Sequence, residues 1–144
     1  MTARERICEI PDLKIEQAIV KMKDNELFAF IQILNLFVEK FPLLEAELKK
    51  TLEDKDYAGH SKCLSVVRDM LKSMYADDLA EDCQRQIDGL INVNHVKAEA
   101  YLNYFISVLA MHSINIQMAI YDENEDEAAG REAQPAPAAA AQQA

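Results

Sequence analysis

The sequence has no tryptophan, three glycines and four prolines in 144 residues. A many-stranded fold consumes more turn-formers than that, so an all-β architecture is set aside. Basic residues are also scarce: 15 Lys and Arg face 25 Asp and Glu, a net charge of −10. That is the wrong sign for a sequence-independent nucleic-acid binder, whose affinity comes from neutralising phosphates, and it disfavours an anionic membrane surface for the same reason. No apolar run approaches 18 residues, and residues 1–6 lead into no signal-peptide core. The cysteines Cys8, Cys63 and Cys83 are odd in number and widely spaced, without a CxxC pair or a histidine at zinc-finger distance. They read as reduced thiols. A soluble, cytoplasmic, single-domain protein is expected, binding neither nucleic acid nor membrane.

What the sequence does have is helical periodicity. From Asp24 to Asp54, apolar residues recur at Leu27, Phe30, Ile31, Leu34, Phe37, Phe41, Leu44, Leu48 and Leu52, in steps of three and four that place them on one face. Pro42 lies inside this run and removes one backbone hydrogen bond, which predicts one bent helix rather than two. A shorter helix, Leu13 to Lys23, follows Pro11-Asp12. The next stripe is Tyr57, His60, Leu64, Val67, Leu71 and Met74, with Asp56 as N-cap. A third long helix, Asp77 to Asn92, carries Leu79, Cys83, Ile87, Leu90 and Ile91, with Asp77 and Asp78 at the positive end of its dipole. The last, His95 to Tyr121, shows a broad apolar face through Tyr101, Leu102, Phe105, Leu109, His112, Ile116 and Ile120. Met70, Met74, Met111 and Met118 read as core filler.

Four amphipathic helices with short connections predict an all-α, antiparallel up-down four-helix bundle with a short N-terminal capping helix. Beyond Tyr121 the pattern gives way to an acidic run and then to an Ala-, Pro- and Gln-rich stretch; residues 122–144 hold six acids and one arginine. The expected organisation is a lead-in over 1–9, a bundle over 10–121 and a disordered tail over 122–144.

Enzyme templates are missing. There is no glycine-rich phosphate loop, HExxH, GxSxG or EF-hand spacing. His112 falls on the core stripe of its helix, His95 at a helix start suited to capping, and His60 on the core stripe of the second long helix. None has an evident general-base or metal-ligand partner. No catalytic residue, metal or cofactor is expected.

The stretch Phe37-Val38-Glu39-Lys40-Phe41-Pro42-Leu43-Leu44-Glu45-Ala46-Glu47-Leu48, followed by Asp54-Lys55-Asp56-Tyr57, resembles the entry into the histidine-containing phosphotransfer (HPt) domain. Met74-Tyr75-Ala76-Asp77-Asp78-Leu79 is similar to that family's Leu-Gly-Ala-like turn and the acidic start of the helix after it. Ile10-Pro11-Asp12-Leu13 and Asp24-Asn25-Glu26-Leu27 resemble its leading short helix and the join to the bundle. The resemblance spans about residues 10 to 121 and implies an HPt-like bundle. Its register puts Ser65 at the place of the phosphorylated histidine in His-x-x-Lys-Gly, Arg68 at the lysine and Asp69 at the glycine.

Serine offers no imidazole to attack an aspartyl phosphate and hold a labile phosphoramidate. His60 lies about 140° around the helix from Ser65. The resemblance therefore implies a pseudo-HPt protein that docks a response-regulator receiver or a histidine kinase without relaying phosphate. Its docking face would be Ser61, Ser65, Arg68, Asp69 and Lys72, with Arg68 and Lys72 offsetting the charge of Asp69. Two alternatives stay open: active phosphotransfer through His60, and a helical adaptor unrelated to phosphorelay.

Overall fold

The computed structural model describes residues 2–92 and 95–131, and among them every regular element is helical. The elements are α1 (Ala3–Cys8), α2 (Glu16–Ile19), α3 (Asp24–Glu53), α4 (Tyr57–Ser73), α5 (Asp77–Asn92) and α6 (His95–Arg131). The expected all-α class is what the chain forms. Four long helices follow two short ones.

α3 runs unbroken through Pro42, because its apolar stripe is anchored on both sides of the proline. Phe30, Leu34 and Phe37 are buried before it, and Leu48 and Leu52 after it. It packs against α4 and α6, while α4 packs against α5. α5 and α6 pack less closely than these pairs. α3 is also the one described helix long and apolar enough to cross a membrane, with a mean hydropathy of 1.6 over an 18-residue window. Its buried face, however, is built into the core of the protein.

Between α3 and α4, Lys55 turns through the left-handed region at φ 57° and Asp56 caps α4, its Oδ1 accepting from the Gly59 N–H at 3.0 Å. A Cβ on Gly59 would run into this carboxylate. Between α4 and α5, Tyr75 adopts φ 64°. This turn is clamped from several sides. The Lys14 N–H donates to the Tyr75 carbonyl at 2.9 Å, Lys14 Nζ bonds Asp78 at 3.0 Å, and the Tyr75 ring lies 5.8 Å from that of Phe30.

The N-terminal and C-terminal ends differ from expectation. The lead-in is itself helical: α1 starts with a capping box in which Thr2 Oγ1 accepts from Glu5 N–H and Glu5 accepts from Thr2 N–H. It packs on α6, burying Ile7 and donating from Arg6 Nε to the Ala119 carbonyl at 3.3 Å. The helix expected over Leu13 to Lys23 shrinks to the single turn of α2. Asp12 sits at φ 71° and the Lys14 N–H is committed to Tyr75, so Leu13 and Ile15 enter the core ahead of any helix. α6 continues to Arg131, beyond the expected stop at Tyr121. Asp, Glu and Ala extend a helix already under way, and no proline intervenes before Pro135. The backbone over 122–131 is helical, and the rest of that tail lies outside the described residues.

Candidate functional site

α4 has two faces of opposite chemistry. Its inner face carries His60, Cys63, Leu64, Val67 and Leu71, all buried. Its outer face carries Ser61, Ser65, Arg68, Asp69 and Lys72, the residues singled out from sequence. The structure does bring these five together, because their spacing returns them to one side of one helix. Ser65 sits at the middle, half-buried, with its hydroxyl turned back to the Ser61 carbonyl at 2.9 Å. That internal bond points the hydroxyl proton at a backbone carbonyl rather than at a side-chain base. Arg68 Nε pairs with Asp69 Oδ1 at 3.0 Å, and its Nη1 donates to Gln84 Oε1 of α5 at 2.7 Å. Arg68 thus pairs with Asp69, and its guanidinium is held in place by Gln84. Lys72 is exposed.

The two interior histidines are held by the core. His60 is 2% exposed and its Nδ1 lies 2.9 Å from Thr51 Oγ1. The Thr51 hydroxyl is also within reach of the Glu47 carbonyl at 2.8 Å. Burial pulls the His60 pKa below the ordinary imidazole value, opposed by a hydrogen bond to the Leu48 backbone. His112 is 1% exposed, its Nε2 3.3 Å from Met74 Sδ and its ring edge-on to Phe37 at 5.6 Å. Its Nδ1 meets no hydrogen-bond partner among the described residues. Desolvation drives its pKa down to about 4. His95 opens α6, and its side chain lies outside the described residues. The thiols of Cys63 and Cys83 are buried and unpaired, with burial pushing them up to about 11 and about 12, so both are poor nucleophiles. No group of three or more His, Cys, Asp or Glu residues suited to a metal occurs among the described residues.

Two features were not visible in the sequence. Met111 and Met118, expected in the core, stand on the outside of α6, 57% and 64% exposed. With Tyr104 and Ile114 they form an outward apolar stripe at steps of three, four and seven. α6 is apolar around most of its circumference, so a reading of one face could not tell which side the core would take. The second feature is a cavity of about 450 Å³ where α4, α5 and α6 meet. Its walls are His60 and Leu64 of α4, Arg85, Gln86, Gly89 and Leu90 of α5, and Lys97 and Tyr101 of α6. Three helices distant in sequence supply it, which is why no local motif announces it. A larger groove of about 690 Å³ between the end of α3 and α6 carries balanced charge, Lys49 and Lys55 against Glu53 and Glu99.

Comparisons with protein-family models, with curated proteins and with solved structures find no match for this chain. Its function must be argued from its own residues.

Proposed function

We propose that this chain is a non-relaying, HPt-like docking module of phosphorelay signalling. It is a cytoplasmic up-down four-helix bundle that presents the outer face of α4 to a response-regulator receiver or a histidine kinase and transfers no phosphate. The observation that carries the proposal is the inversion of α4. Its histidine faces inward, hydrogen-bonded and buried, while Ser65 occupies the outward mid-helix position. Relay through His60 would require α4 to roll by more than a third of a turn, breaking the Thr51 contact and exposing the Leu64 and Val67 stripe.

Backbone geometry supports the register. The turn likened to Leu-Gly-Ala is Met74-Tyr75-Ala76, and Tyr75 takes the left-handed conformation that favours glycine. The packing order supports the bundle: each long helix contacts its chain neighbour, and α3 also contacts α6. Docking would rest on a small helix face with Ser65 at its middle, Ser61 toward one end and the charges of Arg68, Asp69 and Lys72 toward the other.

The test is receiver-domain binding by the wild type and by Lys72→Glu and Arg68→Glu. The proposal expects binding to wild type and about a tenfold or greater loss in each variant. Wild-type affinity kept in both variants would remove the α4 face from the account. The exposed stripe of Tyr104, Met111, Ile114 and Met118 favours a second reading, a helical adaptor that binds its partner through α6. Partner binding abolished by Met111→Glu and Met118→Glu, yet untouched by Lys72→Glu, would select that reading.

A further inference from the structure

We propose that the cavity between α4, α5 and α6 binds a small organic carboxylate with an apolar body. The inference is independent of docking at α4, because none of the five residues of that docking face lines the cavity. Its volume of about 450 Å³ is in the range of small-molecule sites. Its floor is apolar, through Leu64 and Leu90, and the charged side chains lining it are Arg85 and Lys97. In a chain of net charge −10, a cavity whose charged lining among the described residues is two cations departs from the average surface. The acids that pair with Arg85, Glu81 at 3.7 Å and Asp82 at 3.0 Å, sit on its own helix and do not line the cavity.

One further observation points to an occupant. Gln86 Nε2 is buried and meets no hydrogen-bond partner among the described residues. A buried donor without a partner is costly, and a swing of the Gln86 amide toward the cavity would let a ligand carboxylate oxygen satisfy it. Gly89 also lines the cavity, and a Cβ built there would meet nothing within 4 Å. Gly89 is exposed, so a larger side chain fits there at the cavity mouth without a clash. Arg85 presents a planar fork that matches a carboxylate, Gln86 adds a neutral donor, and the leucines take the apolar body.

The test is titration of the full-length, 15N-labelled protein with benzoate, and in parallel with benzyl alcohol and benzylammonium, which keep the ring and change the charge. The proposal expects saturable shifts of the Gly89 backbone amide and the Gln86 side-chain amide with benzoate, and at least about tenfold weaker effects with the other two. Gly89→Leu should fill the space and weaken benzoate binding about tenfold or more with helical circular dichroism unchanged. Arg85→Gln, at an exposed position, should weaken it about five- to tenfold. Equal shifts with all three probes, shifts confined to residues away from the cavity, or unaltered binding in Arg85→Gln would each overturn the proposal.

Discussion

The inner and outer faces of α4 share one backbone and seventeen residues, yet they do different work. The inner face is finished. Leu64, Val67 and Leu71 are fully buried, His60 is tied to Thr51, and Met74, at the helix end, meets His112. The outer face is polar, and among the described residues Ser65 is bonded within its own helix, to the Ser61 carbonyl. The comparison teaches that carrying a histidine on a helix is not the same as offering it to a partner. The imidazoles whose surroundings are described belong to the stability of the fold, and the outward mid-helix position carries a hydroxyl. Changes to the inner face should thus unfold the protein, and changes to the outer face should alter only what it binds.

The largest effect is expected from Leu71→Ala, which removes a fully buried side chain and should cost about 3 kcal/mol in chemical denaturation. A cost below about 1 kcal/mol would mean the inner face is not a packed core. The pH dependence comes next. Burial holds His112 at about 4, below its ordinary 6.5, so between those values the unfolded chain binds more protons than the folded one. The stability is fully present above pH 6.5 and is lost as pH falls toward 4. The loss is on the order of 3 kcal/mol. His112→Leu should flatten that slope relative to wild type across the same window, and an unchanged slope would assign the acid sensitivity to His60 and the carboxylates.

Gly59→Ala would press a methyl group onto the Asp56 carboxylate that caps α4. The cap must then shift, at a cost of about 1 kcal/mol. The smallest effect should come from Ser65→Ala. Among the described residues its hydroxyl bonds within its own helix, so stability should move by less than about 0.5 kcal/mol, read from the denaturation midpoint. A large destabilisation there would erase the contrast between the two faces.

Much of the fold was legible because the long helices repeat their apolar residues often enough to fix a face. Asp77–Asn92 starts and stops where its acids and its final asparagine place it, and Asp56 caps α4 as its sequence position implies. α1 was not read, although Thr2-Ala3-Arg4-Glu5 spells out its capping box, because six residues are too few to show a period. α2 was overestimated, since its preceding backbone is spent on Tyr75 and on burying Leu13 and Ile15. Tertiary demand overrode local propensity there. The five residues of the α4 face were legible as a group because helical spacing alone unites them. The cavity was not: Gly89 looked like part of a helix ending, and the empty space beside it exists only once α4 and α6 stand next to α5.

The central claim, that this chain meets phosphorelay partners without carrying phosphate, is tested most directly by incubating it with phosphorylated receivers from the same organism and measuring acid-labile phosphate on the wild type and on His60→Ala. The account predicts no label on either protein. Label on the wild type that disappears in His60→Ala would contradict it, since the inward histidine would then be the one that reacts.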